Sequence, residues 1–213
     1  MNKEILYDSP SIVLCHDLLT PEECLGIIDT VPLCEYARAV GFNEKTRDSL
    51  VTDYRSNSTY IDNSFRLALV QQRLTKFIES EMEGNSVYKK GCIETPLQLQ
   101  RYAVGQQYKA HIDFFNGPGQ PKSFDVDRIA SVILYLNDSF EGGETFFTAL
   151  NIDVKPKAGM ALFFRYDYNE MLYNMNTFHS GMPVTKGEKY IITTFIRSEP
   201  LSYKWNVIEK PKV

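Results

Sequence analysis

The apolar positions of this chain change rhythm near residue 94. Beyond it, short apolar runs alternate with turn residues, the pattern of a strand-rich region. Leu97, Leu99 and Arg101 alternate with Gln98, Gln100 and Tyr102, and Gly105 interrupts the run before residues 106–113 resume it. Residues 129–136 are strongly apolar and predict a strand, closed by the turn Asn137-Asp138. Shorter strands are predicted at 154–156 and 159–166, and a last one at 190–197. Residues 116–121 and the Tyr- and Asn-rich stretch 167–177 read as loops.

The first part of the chain has a helical rhythm. Residues 11–15 predict a short strand. Thr20-Pro21-Glu22-Glu23 then supplies a helix start: threonine as N-cap, proline at the first helical position, glutamate three after the cap. That helix runs to about Asp29 and ends before Pro32. A strand is expected at 35–40, and the polar stretch 41–58 reads as a loop, either a plain connection or a lid beside a site. Asp62 or Asn63 caps a longer helix whose stripe of Phe65, Leu69, Val70, Leu74, Phe77, Ile78 and Met82 packs on a sheet, with Gly84 as its stop. The expected architecture is α+β, mainly β: a jelly roll, or double-stranded β-helix, over 94–200, braced by helices within 1–93. No repeat or linker divides residues 1–213, so one domain is expected.

Composition narrows the classes. A chain of 213 residues with 43% hydrophobic content is long enough for one large core. Its net charge of −4, with bases spread among acids, argues against a dedicated nucleic-acid binder. No segment approaches the roughly eighteen apolar residues a membrane helix needs. The opening MNKEILYDSPS lacks the long apolar run of a signal peptide. Cys15, Cys24, Cys34 and Cys92 form no Cys-x-x-Cys pair and are expected as buried thiols. A cytoplasmic protein, monomer or homodimer, is the expectation.

The chain has three histidines, and two stand out. His111 and Asp113 are two apart in an extended run, so both side chains reach one face. His179, in Thr177-Phe178-His179-Ser180-Gly181, offers a third donor from a distant strand. Two histidines and one carboxylate on one side of a metal, with the other side open, is the donor set of non-heme Fe(II) oxygenases. His-x-Asp alone arises often by chance; the surrounding motifs distinguish it.

Those motifs are Arg101-Tyr102, Gly105-Gln106, Tyr108, His111-x-Asp113, Arg128, Tyr135-Leu136-Asn137, Gly142-Gly143-Glu144-Thr145, Gly159, Ala161-Leu162-Phe163-Phe164, His179-Ser180-Gly181-Met182-Pro183-Val184 and Gly187-Glu188-Lys189. In order and spacing they resemble the prolyl 4-hydroxylase family of Fe(II)- and 2-oxoglutarate-dependent dioxygenases. The resemblance implies iron on His111, Asp113 and His179, with 2-oxoglutarate, dioxygen and L-ascorbate as partners in turnover. It implies hydroxylation of peptidyl-proline to 4-hydroxyproline, with release of succinate and carbon dioxide. Hydroxylation of another protein side chain or of a small molecule is the competing enzymatic reading. A non-catalytic metal-binding jelly roll is the competing non-enzymatic one. Lys189, at the start of an apolar strand, fits the buried cation that the far carboxylate of 2-oxoglutarate needs; the alternative is an exposed lysine in the turn 186–189. By resemblance, Tyr102, Tyr135 and Thr145 add hydroxyl contacts to 2-oxoglutarate.

For the substrate side, alternation along the last strand puts Lys189, Ile191, Thr193, Phe195 and Arg197 on one face. Tyr108 and Arg128 match family positions that contact the peptide, and Arg55, in 55–60, loosely matches a segment near the substrate loop. Strict alternation turns Arg128 away from the face of Tyr135, so its role requires a strand end or a bulge; a surface arginine is the alternative. Many family members carry tryptophan at the positions of Tyr190 and Phe195, and plant and algal members histidine at that of Arg197. Residues 41–58 and 116–127 are expected to be mobile alone and to order over a bound peptide.

Overall fold

In the computed structural model, which describes residues 2–31, 35–38, 41–42, 49–50, 57–61, 67–94, 97–114, 128–166, 168–169, 172–173 and 175–198, each long strand divides its side chains between two faces. Strands β1 (Lys3–Tyr7) and β2 (Ile12–Cys15) precede helix α1 (Pro21–Ile28). Next come β3 (Glu35–Arg38), the two-residue partners β4 (Gly41–Phe42) and β5 (Ser49–Leu50), β6 (Ser58–Ile61) and helix α2 (Ala68–Glu81). The remaining elements are strands: β7 (Gln98–Tyr102), β8 (Tyr108–His111), β9 (Arg128–Tyr135), β10 (Glu141–Gly142), β11 (Thr145–Phe147) and β12 (Ile152–Val154). They continue with β13 (Ala161–Arg165), β14 (Tyr168–Asn169), β15 (Leu172–Tyr173), β16 (His179–Gly181), β17 (Val184–Lys186) and β18 (Lys189–Arg197).

Eight strands form one sheet in the order β1-β2-β13-β9-β18-β7-β6-β3, and four form a second in the order β12-β11-β16-β8. Every pairing within them is antiparallel. One face of the larger sheet meets the helices. There Ala130, Val132, Leu134, Phe163 and Ile192 pack with Leu74, Phe77 and Ile78 of α2 and with Cys24 and Ile27 of α1. The other face meets the smaller sheet, with Ile133, Tyr135, Leu162, Phe164 and Ile191 against Phe147 and Val154. Each fully buried Phe or Leu of this kind contributes roughly 1.5–3 kcal/mol relative to exposure. This two-sheet sandwich, braced by helices, is the jelly roll expected from the strand rhythm.

The two helices are fixed for different reasons. In α1 both arms of the capping box form: Thr20 Oγ1 accepts from the Glu23 N–H at 3.3 Å, and Glu23 Oε2 accepts from the Thr20 N–H at 2.9 Å. Arg73 of α2 then grips the Glu23 carboxylate at 2.6 and 2.8 Å and the Leu18 carbonyl at 3.0 Å, locking one helix to the other. The Thr20 N–H, then Arg73, holds the Glu23 carboxyl below its ordinary range. Helix α2 begins later than an Asp62 or Asn63 cap implies, with Leu67 at its N-cap and no side-chain cap. Asp62, Asn63 and Phe65 lie outside the described residues. Val70, Leu74, Phe77, Ile78 and Met82 are buried as expected, whereas Leu69 is 46% exposed and leaves the stripe.

Other differences from the sequence reading are all short or edge strands. β1 is a mostly exposed edge whose polar residues mask its apolar ones. Within 41–58, β4 pairs with β5, and Ser58 opens β6 inside the main sheet, so this stretch is not one plain loop. Asn57, just ahead of β6, is buried and donates to Gln100 Oε1 at 3.2 Å; residues 43–48, 51–56 and 116–127 lie outside the described residues. β10 and β11 follow Asn137-Asp138, and 167–177 contains the β14–β15 pair and a turn of 3-10 helix at Met175–Thr177. Cys15, Cys24 and Cys92 are buried free thiols, as expected.

Candidate active site

The antiparallel register between β16 and β8 sets His179 directly opposite His111. Asp113 follows two residues beyond, where β8 has ended, so its carboxylate turns back toward both rings. His111 Nε2 lies 3.4 Å from Asp113 Oδ1, and His179 Nε2 lies 3.8 Å from Asp113 Oδ2. One donor atom from each residue falls within 4.8 Å of the others, close enough to share one metal ion.

The tautomers favour metal binding. His111 Nδ1 is 2.8 Å from the Lys109 carbonyl, and His179 Nδ1 is 2.9 Å from the Thr177 carbonyl. A carbonyl only accepts, so each Nδ1 carries the proton and each Nε2 lone pair faces the site. Burial, then the neighbouring His111, lowers the His179 imidazole to about 4, with Asp113 opposing. Burial also resists ionisation of Asp113, but the surroundings made by His179, His111 and the Arg128 guanidinium outweigh it and hold the carboxyl far below its usual range. Neutral imidazoles beside an ionised carboxylate form a donor set for a divalent cation. Tyr108 stacks on His111 at 3.5 Å between ring centroids, and Phe164 meets the His179 ring edge-on at 4.8 Å, so neither imidazole is free to turn.

These residues open onto a cavity of about 140 Å³ between the sheets, lined by both polar and apolar side chains. Lys189 lies at its inner end, only 3% exposed, so it is not a turn lysine on the surface. Its Nζ donates to the Gly143 carbonyl at 2.6 Å. Among the described residues no carboxylate pairs with it, and burial lowers its pKa to about 8, with Glu144 partly offsetting. A buried ammonium held by a neutral carbonyl suits an anionic ligand. The Gly142-Gly143 turn, with φ of +73° and +70°, places that carbonyl; a Cβ on Gly143 would meet the lysine chain at 3.2 Å.

Thr145 lines the same cavity, and its hydroxyl lies 2.8 Å from that of the fully buried Tyr135. Tyr102 lines it too, donating to Gln100 Oε1 at 3.0 Å, while Gln100 Nε2 donates to Thr193 Oγ1 at 2.7 Å. Toward the mouth the Arg128 guanidinium lies 3.4 Å over the Phe195 ring, donates to Glu94 at 3.0 and 3.2 Å, and reaches the Asp113 carbonyl at 3.3 Å.

A bulge puts Arg128 there. Ile196 faces Ala130 across the β18–β9 ladder, yet Arg197 faces Arg128, leaving Ile129 as the extra residue. Ile129 packs on the helical side, and Arg128 enters the cavity. Arg197 sits beyond the same irregularity, with its Nε 2.7 Å from Glu94 Oε1, and it is not among the residues lining the cavity. Arg55 lies outside the described residues.

Sequence reasoning passed over Gln100, Ser131 and Tyr166. Ser131 is the one serine in the apolar strand β9, and its Oγ donates to Asp113 Oδ2 at 2.7 Å. Tyr166 hydrogen-bonds to Ser131 in turn. Burial and the Asp113 charge push its phenol up, so it stays protonated. The available signal was a polar residue on the site face of a strand otherwise apolar on both faces.

Known proteins resemble this chain in sequence and in fold. The sequence profile of the 2OG-Fe(II) oxygenase superfamily matches residues 97–197, the span that carries every described residue of the site except Glu94. A probable prolyl 4-hydroxylase 10 of Arabidopsis thaliana is 30% identical over 219 residues, covering 91% of this chain and 71% of that relative. A probable prolyl 4-hydroxylase 9 from the same plant is 27% identical, covering 92% and 72%. The viral collagen prolyl hydroxylase of Paramecium Bursaria Chlorella virus-1, solved with 2OG, superposes with a TM-score of 0.68 at 26% identity, covering 90% of this chain and 98% of that one. With the donor set and the buried ammonium in place, the chain belongs to the 2OG-Fe(II) oxygenase superfamily, as a dioxygenase of the prolyl 4-hydroxylase-like kind.

Proposed function

We propose that this dioxygenase hydroxylates proline within a peptide or protein, giving 4-hydroxyproline. The observation that carries the reading is the mouth of the cavity. The stacked Phe195–Arg128 pair sets an apolar ring edge beside guanidinium donors, on the same side as Asp113, which suits a pyrrolidine ring carried between backbone carbonyls. The names of the plant and viral relatives agree with it.

Iron bound by His111, Asp113 and His179 supplies the oxidising chemistry, with 2-oxoglutarate decarboxylated to succinate as dioxygen is consumed. The chain's own residues hold and aim. His111 and His179 present Nε2 because their Nδ1 protons are already given to carbonyls. Lys189 pairs with the far carboxylate of 2-oxoglutarate, and the Thr145 hydroxyl, held by that of Tyr135, lines the same cavity to share that contact. Ile133 and Ile191 line the wall and exclude water. Tyr108, stacked on His111, and Arg128 frame the entrance to the peptide.

Mass spectrometry tests the reading on proline-rich and collagen-like peptides incubated with Fe(II), 2-oxoglutarate and ascorbate as reductant. A gain of one oxygen on proline is expected. Succinate formation coupled to oxidation of a different side chain or of a small molecule would replace proline as the target.

A further inference from the structure

Asp113 has two carboxylate oxygens in unequal surroundings. Oδ2 accepts a hydrogen bond from Ser131 Oγ at 2.7 Å and lies 3.8 Å from His179 Nε2, whereas Oδ1 has no such hydroxyl among the described residues and lies closer to its histidine, 3.4 Å from His111 Nε2. An ionised carboxylate cannot donate, so the Ser131 hydroxyl must give its proton to Oδ2. Its lone pairs are then left to accept, and the Tyr166 hydroxyl fills that role. The result is a one-way line of protons, Tyr166 to Ser131 to Asp113, within a site whose members are all almost wholly buried.

Neither hydroxyl is needed for packing. Ser131 stands in a strand whose neighbours Ala130, Val132 and Ile133 are apolar, where alanine would fill the space. The Tyr166 ring packs between Phe114 and Phe164, with centroids at 5.4 and 6.0 Å, a setting that phenylalanine would fill as well. Burying a hydroxyl costs free energy unless it finds a partner, and these two find the one carboxylate among the iron-binding residues.

We propose that Ser131 and Tyr166 are positioning residues for the metal. They occupy Oδ2, fix the carboxylate plane, and leave Oδ1 as the oxygen offered to iron. The inference rests on His111, Asp113 and His179 being the metal-binding set. Partners that orient a metal ligand commonly account for about 10–100-fold in metal affinity.

The test is titration of the metal-free protein with Co(II), following visible absorption for both affinity and ligand geometry. Ser131→Ala is expected to weaken Co(II) binding about 10–100-fold and to alter the absorption bands. Tyr166→Phe, one link further away, shifts both in the same direction by less. Ser131→Thr keeps the hydroxyl and restores them. Thermal melting of each metal-free variant separates a lost fold from a lost line of protons; if Ser131→Ala does not fold, Tyr166→Phe and Ser131→Thr decide. Wild-type affinity and an unchanged spectrum in Tyr166→Phe and in any folded Ser131→Ala would overturn the proposal. Failure of the wild-type protein to bind Co(II) would instead overturn the metal site, and His179→Ala is the control for that outcome.

Discussion

Opposite faces of the same strands carry opposite chemistries. On β9, Ala130, Val132 and Leu134 meet the helices, while Ser131 and Ile133, one residue along each time, line the cavity. On β18, Ile192 and Ile196 join the helical core while Lys189, Thr193 and Phe195 line the site. A period of two therefore keeps stability and chemistry apart without separating them along the chain. Adjacent substitutions should give unlike phenotypes, one seen in melting and the other in binding.

The largest effect is expected at the metal. His179→Ala leaves two protein donors, so Fe(II) affinity should fall by more than the roughly 100-fold typical of losing only a ligand's hydrogen-bond partner, and succinate production should cease. Near-normal succinate from that variant would remove His179 from the site. On the helical face, Phe163→Ala should cost about 3–5 kcal/mol in denaturant unfolding, since the ring is fully buried against Phe77. The 2-oxoglutarate affinity of its folded fraction should stay at the wild-type value, and a parallel loss of affinity would break the division between the faces.

Lys189→Ala should weaken 2-oxoglutarate by about 2–5 kcal/mol while Fe(II) affinity holds, because the carboxylate loses its buried partner. Calorimetric titration with each ligand decides it. The same lysine makes a stability prediction of opposite sign. Its pKa falls from 10.5 to about 8 on folding, so the unfolded chain binds more protons between those values and ligand-free stability rises with pH across that window. Lys189→Met should accordingly stabilise the ligand-free protein at neutral pH, by an upper bound of roughly 3 kcal/mol. The smallest and sharpest test is the pH profile of 2-oxoglutarate binding. Affinity should be level below about pH 8 and then fall, by up to about tenfold per unit, as the free lysine deprotonates. A flat profile to pH 9.5 would mean that the lysine's charge does not hold the ligand.

The parts legible in the sequence were those whose signal repeats. Helix α1 announced itself through Thr20, Pro21 and Glu23, and strand β9 through eight residues with little polar interruption. β4, β5, β10, β14 and β15 are two residues each, too short for any period to appear. β10 depends besides on a partner distant in sequence, with Val184 opposite Gly142. In the site, His111, Asp113, His179 and Lys189 were legible because rare or costly residue types stood at telling spacings. Gln100 and Ser131 were not, since one glutamine or serine carries no signal until its neighbour across the fold is known. Arg197 shows the limit of alternation: the rule placed it in the cavity, and one extra residue in the facing strand broke the rule before it got there.

That extra residue, Ile129, divides β9 into an inherited half and an adjustable one. From Ala130 onward the spacing is fixed, because Ser131 must reach Asp113 and Tyr135 must reach Thr145. Ahead of Ile129 the ties are looser, since Arg128 reaches the Asp113 carbonyl and Glu94 but no metal-binding atom, and the irregular ladder absorbs a change of direction. A lineage could therefore exchange Arg128, or re-aim it, and acquire a different clientele while the oxidising centre stayed as it was. Diversification of targets in such a scaffold would proceed from that point outward, like replacing the bit of a drill while the chuck stays closed.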